Sequence, residues 1–164
     1  MVIAVDADNR LYVRDWGNAR IQICAIGIEY LDSWDLSEKG EGQLFTPTSV
    51  KVDSESNAWV VGQGNSRVQK FIRVGEFLTT WGVAGDYQGQ FGVPTSIALD
   101  SDENFYVSEV ENARAQIFSS EGEYVSDLLR RHFLIPTAWL STEMGTFTWP
   151  IPEKHFIKKF SLAD

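Results

Sequence analysis

The chain repeats itself every 47 residues, and this period limits its fold more than any other property. Asn18, Asn65 and Asn112 are one period apart, as are Arg20, Arg67 and Arg114, and Gln22, Gln69 and Gln116. Other columns keep the same register without a gap. They are Asp6, Asp53 and Asp100; Tyr12, Trp59 and Tyr106; Val13, Val60 and Val107; and Glu29, Glu76 and Glu123. Trp34 and Trp81 close two of the units, and "GQLFTPTS" at 42 to 49 answers "GQFGVPTS" at 89 to 96.

Each unit breaks into four short runs of β-branched and aromatic residues. In the second unit these are 49–52, 58–61, 67–71 and 77–81. The runs alternate roughly in polarity and are separated by Gly, Asn, Asp, Ser and Glu, the composition of strands joined by tight turns. No run keeps helical spacing for two turns. Four strands per repeat of forty-odd residues predicts an all-β chain built of propeller blades.

The columns also suggest a motif. Gly-x-Phe-x-x-Pro precedes an apolar strand ending in Asp, then comes a Tyr-Val strand, then Asn-x-Arg-x-Gln. This pattern resembles the NHL repeat over residues 2 to about 128. The resemblance implies a propeller, usually of five or six blades. The expected organisation is a partial β-propeller with three four-stranded antiparallel blades of NHL type, about 2–35, 42–82 and 89–128. An irregular, apolar tail at 129–164 follows, with an incomplete fourth blade as its alternative reading. In that tail Gly145, Phe147 and Pro150 keep the Gly-x-Phe-x-x-Pro spacing, nine residues late. One departure from the family concerns the turn after the Asp column, which in NHL repeats commonly reads Asp-x-x-Gly-Asn. Here the Gly column holds Asn9, Ser56 and Glu103. A left-handed residue other than Gly, Asn or Asp costs about 1 kcal/mol, so another geometry is expected in the second and third turns.

Strand alternation places Asn18, Arg20 and Gln22 on one face. A hairpin would bring Asp15 to Arg20, and Glu109 to Arg114; the acid column holds Gly62 in the second unit, leaving Arg67 without that partner. These arginines could bind an anion, but their recurrence with an acid favours a structural role, because an unpaired buried charge is costly. The aspartates of the first-strand column could ligate a metal; at the start of tight turns they more commonly cap their own backbone. Cys24 shares a column with Phe71 and Phe118 and reads as a small buried hydrophobe.

Propeller ligands are held by loops and the central channel. The loop joining the second and third strands varies most between units, and its candidates for binding a protein or small ligand are Trp16, Gln63 and Glu111. A net charge of -9 argues against nucleic acid. No apolar stretch is long enough to span a membrane as a helix, and the first residues lack the pattern of a signal peptide. The function expected is a non-catalytic interaction scaffold with no cofactor, part of a longer propeller or completed as a ring by a homodimer. Two alternatives arise from the resemblance. NHL-type propellers include the peptidyl-hydroxyglycine amidating lyases, which implies zinc held by several histidines, whereas this chain has only His132 and His155. Some animal NHL proteins bind RNA, which would need a basic loop face.

Overall fold

The structure is a computed structural model that describes residues 3–35, 40–130, 140–141, 146–151 and 156–161. Three four-stranded antiparallel sheets follow one another along the chain. The first contains β1 (Ile3–Val5), β2 (Arg10–Asp15), β3 (Arg20–Ala25) and β4 (Tyr30–Asp35). The second contains β5 (Pro47–Val52), β6 (Ala58–Gly62), β7 (Arg67–Phe71) and β8 (Phe77–Trp81). A two-stranded parallel pair, β9 (Val83–Ala84) with β10 (Gln90–Phe91), lies in the connection to the third sheet. That sheet contains β11 (Pro94–Leu99), β12 (Phe105–Glu109), β13 (Arg114–Phe118) and β14 (Tyr124–Arg130). Each four-stranded sheet is a simple meander, as hairpin turns require. The first strands β1, β5 and β11 lie against one another, the arrangement of blades around an axis.

The blades stack through two apolar seams. Pleating puts Ala4, Tyr12, Ile21, Ile23 and Trp34 on one face of blade 1, and they pack against Val50, Ala58, Val60 and Phe71 of blade 2. The other face of blade 2, with Trp59, Val61 and Val68, meets Ile97, Phe105, Val107 and Phe118 of blade 3. The incoming connection adds one anchor to each seam, Leu44 and then Phe91, both fully buried. The closing tryptophans insert where the next blade has glycine. A side chain at Gly75 would collide with the Trp34 ring, and one at Gly122 with the Trp81 ring. Both glycines have positive φ, 83° and 84°.

Three expectations need correction. The tail is not irregular throughout. Its described residues form an antiparallel sheet of β15 (Leu140–Ser141), β16 (Thr146–Ile151) and β17 (Phe156–Ser161), and β15 lies beside β11. Phe147 and Pro150 therefore belong to a paired middle strand, opposite Phe160 and Ile157, rather than to a connection between blades. Gly145 lies outside the described residues. The third correction concerns the Asp turns, which all share one geometry. Asn9, Ser56 and Glu103 each adopt a left-handed conformation, with φ of 61°, 66° and 61°. The aspartate enforces it. One carboxylate oxygen of Asp53 accepts the amides of Glu55 and Asn57 at 3.1 and 2.8 Å, and Asp6 and Asp100 do the same in their own turns. These bonds, and the turn closed by Ser56 N–H on the Asp53 carbonyl, override the local penalty on a non-glycine residue.

Candidate functional site

The repeated Arg and Gln columns of blades 2 and 3 bind the connection that enters each blade. In blade 3, Glu109 and Arg114 sit opposite each other on the hairpin, 0 and 2 % exposed. Arg114 Nε donates to Glu109 Oε1 at 2.5 Å, and its terminal nitrogen donates to the carbonyls of Tyr87 and Gln90 at 2.8 and 2.9 Å. Gln116 donates to the Gln90 carbonyl and accepts the Gly89 amide, at 2.7 and 2.9 Å. Blade 2 repeats this without the acid. Arg67 donates to the carbonyls of Gly40 and Gln43, while Gln69 bridges the Gln43 carbonyl and the Gly42 amide. Each Arg–Gln pair thus straps the incoming connection onto its own blade. In blade 1 Arg20 keeps Asp15, with Nε 2.9 Å from Oδ2. Hydrogen bonds from Asn18 and then Arg20 hold the Asp15 carboxyl below the usual range. These are structural latches rather than an anion site.

The aspartate column acts across each blade. Besides capping its turn, Asp6 accepts the Tyr12 hydroxyl at 3.2 Å, Asp53 accepts Trp59 Nε1 at 2.9 Å, and Asp100 accepts the Tyr106 hydroxyl at 3.0 Å. Burial and the nearby Asp6 carboxylate push Tyr12 up to about 12. Burial alone raises the Asp53 carboxyl, yet hydrogen bonds from Trp59, Asn57 and Lys70 outweigh it and hold it below its ordinary value. Among the described residues no group of three or more His, Cys, Asp or Glu could hold a metal ion. His132 and His155 lie outside the described residues.

The three candidates from the variable loop occupy equivalent turns on one rim of the blades. Trp16 opens a single 3-10 turn, Trp16–Asn18; its side chain lies outside the described residues. Gln63 opens the matching turn, Gln63–Asn65, half-buried, with its amide bound to the Thr46 carbonyl. Glu111 is exposed, with its amide bound to the Gly92 carbonyl. Glu111 lines a groove, of about 400 Å³, between the rims of blades 2 and 3. Asp86 and Asn112 flank it, Ser66 closes it from blade 2, and Phe91, Gly92 and Val93 form its floor. A Cβ at Gly92 would come within 2.8 Å of the Asn112 side-chain amide, which would have to shift to admit it. The Gly92 N–H donates to Glu109 Oε2 at 2.6 Å, and that oxygen also accepts from Asn112 at 2.6 Å. The groove is therefore built on the blade 3 latch. Two exposed carboxylates and an amide suit a small ligand with cationic or amide groups.

Val93 has a φ of 60°, an outlier for a β-branched residue. Thr46 holds the same position in blade 2 with a φ of 55°, so this strain belongs to the repeat and not to the groove. Sequence reasoning passed over two features. The Asp86 loop is one, held by the β9–β10 pair, which no column announces. The other is Lys51, in a column otherwise filled by Ala4 and Ala98 on the inner strands; burial lowers its pKa. A break in a column of small residues was the available signal.

The sequence matches no protein-family model and no curated protein. The fold, however, is that of solved structures. A Bacteroides thetaiotaomicron protein of unknown function matches 98% of this chain with a TM-score of 0.77 and 19% identity, and 46% of that protein is covered. Virginiamycin B lyase from Staphylococcus aureus matches 99% with a TM-score of 0.65 and 13% identity, 55% of it covered. Kuenenia stuttgartiensis hydrazine synthase matches 99% with a TM-score of 0.71 and 12% identity, 46% of it covered. The chain thus has an all-β fold of propeller-like blades similar to that of lyase structures. It spans about half the length of the solved structures it matches. Among the described residues, no helix is long and apolar enough to cross a membrane.

Proposed function

We propose that this chain is the blade module of a lyase-type β-propeller, in which the rim groove at Glu111 holds the ligand and the NHL-type columns keep the groove rigid. Its support is one observation. The fold similarity to virginiamycin B lyase extends over 99% of the chain, and within it the blade 3 latch carries a groove of about 400 Å³ flanked by Asp86 and Glu111. The ligand class that the acidic rim favours is a small molecule carrying amine and amide groups, held chiefly by orientation and charge. A second reading, a non-catalytic scaffold, is favoured by the use of the repeated Asp and Arg columns in turns and latches.

The test uses quinupristin, the compound named with a catalytically inactive His-to-Ala variant of virginiamycin B lyase. A lyase opens its substrate by elimination, so the product keeps the substrate's mass; hydrolysis would add one water. The purified chain is incubated with quinupristin and followed by chromatography and mass spectrometry. The expected result is binding that weakens about tenfold in Glu111→Gln, in line with one lost charge-assisted contact, with any opened product isobaric with the substrate. Binding without turnover favours the scaffold. Absence of both binding and turnover overturns the lyase reading.

A further inference from the structure

The asparagine of the Asn-x-Arg-x-Gln motif uses its amide nitrogen for structure in every blade. Asn18 Nδ2 donates to Asp15 Oδ2 at 2.8 Å, and Asn65 Nδ2 donates to the Gln43 carbonyl at 3.1 Å. Asn112 Nδ2 donates twice, to the Gly85 carbonyl at 2.9 Å and to Glu109 Oε2 at 2.6 Å. Both of those partners can only accept, so the Asn112 amide has one orientation. Reversing it would set its oxygen against two other oxygens. The side-chain oxygens differ between blades. Asn65 Oδ1 is buried without a partner, and a Cβ at Gly62 would lie 2.1 Å from it. Blade 3 has Glu109 at the Gly62 position. There the acid holds the amide nitrogen, and Asn112 Oδ1 accepts from none of the described residues without being buried. Asn112 lines the rim groove.

That orientation decides what the groove can recognise. Its side-chain polar groups are the Asp86 and Glu111 carboxylates, the Asn112 amide and the Ser66 hydroxyl, and no Lys or Arg lines it. With both amide N–H bonds committed to Gly85 and Glu109, Asn112 offers a ligand an acceptor and no donor. Two carboxylates supply negative charge, and the amide oxygen supplies a neutral acceptor fixed in direction. A primary ammonium group matches this set, because it carries one positive charge and three N–H donors. A quaternary ammonium brings the charge without donors. An alcohol or an amide brings donors without the charge. Ala84, Phe91 and Val93 give the same groove an apolar side for a short alkyl chain.

We propose that Asn112 is the specificity-determining residue of the groove, its Oδ1 accepting an N–H from a primary ammonium group whose charge Asp86 and Glu111 balance. The inference rests on the reading of the groove as the ligand site, and it narrows the ligand class to primary amines. Selectivity comes from the contrast between a charged donor that satisfies the amide oxygen and a cation of equal charge that leaves it without a partner.

The test is an NMR titration of the isotope-labelled full chain near neutral pH. One probe is butylamine, which is protonated there. The other is butyltrimethylammonium, the matched cation without N–H donors. Butylamine is expected to shift the backbone amides of Gly85, Asp86 and Glu111 and the side-chain amide of Asn112. The trimethyl compound should bind about tenfold more weakly, in line with one lost charge-assisted hydrogen bond. Asn112→Ala should bring the two affinities together, whereas Glu111→Gln should weaken both and keep their ratio. Should Asn112→Ala disturb the fold, the comparison of the two probes on the native chain decides alone. Equal affinities in the native chain, or a preference that survives Asn112→Ala, overturns the proposal and leaves the groove as a ligand site. Binding of neither probe overturns it as well, and quinupristin then separates the two readings. Shifts of the same amides by quinupristin keep the groove as a ligand site, and their absence removes both.

Discussion

At the scale of single residues, the backbone turn governs more than side-chain identity. Ser56 shows it. Its left-handed conformation, φ of 66°, is imposed by the Asp53 carboxylate holding the amides around it. An L-residue there is strained by roughly 1 kcal/mol relative to glycine. Ser56→Gly is therefore expected to stabilise the fold by about 1 kcal/mol, less the extra chain entropy of glycine, read as a raised midpoint in urea with an unchanged slope. A lowered midpoint would show that the serine hydroxyl contributes to the turn. Asp53 itself fixes a pH dependence. Its folded pKa lies below the unfolded value of about 3.9. Its contribution is therefore present above that value and lost as pH falls through the folded pKa. Asp53→Asn should be less stable at neutral pH and lose less stability on acidification, compared by thermal melts from pH 6 down to strong acid. Tyr12, raised to about 12, acts at the other limb. Its contribution is complete below an unfolded pKa of about 10 and disappears as pH rises through the folded value.

At the scale of elements, the latch explains why the motif repeats and what each copy is worth. Arg114 is buried, pairs with a buried Glu109 and closes two strap carbonyls. Removing it strands a carboxylate in the core, so Arg114→Ala should cost about 3–5 kcal/mol. Arg67 has the strap without the acid, and its removal leaves no buried charge behind. Arg20 has a half-buried acid and, among the described residues, no strap. Urea unfolding of the three alanine variants should therefore rank Arg114 first, Arg67 next and Arg20 last; equal losses would mean the latch is worth the same with and without its acid. The pairing of Asp15 with Arg20 and of Glu109 with Arg114 was legible in the sequence, because hairpin register follows from alternation and loop length. So was the structural role of the Asp column. The strap acceptors were not, because they are main-chain carbonyls and every residue has one. Nor was the groove, whose walls come from the rims of two blades and the unrepeated Asp86 loop. The tail misled for a related reason. A spacing of Gly, Phe and Pro carries little information once the flanking columns are gone, and Phe147 and Pro150 lie inside a strand.

At the scale of the whole molecule, stacking makes the blades unequal even though their sequences are alike. Blade 2 is covered on both faces, by blade 1 through Val50, Val60 and Phe71 and by blade 3 through Trp59, Val61 and Val68. Among the described residues blade 1 is covered on one face only, and its strand β1 has two exposed apolar residues out of three. Stacked repeats derive stability from their neighbours as well as from themselves, so local opening should be easiest where a neighbour is missing. Native-state hydrogen exchange at low concentration should therefore find the slowest amides in β5–β7 and much faster exchange in β1–β4. Uniform protection across the three blades would mean that the chain unfolds as one cooperative unit and that the open face of blade 1 costs it nothing.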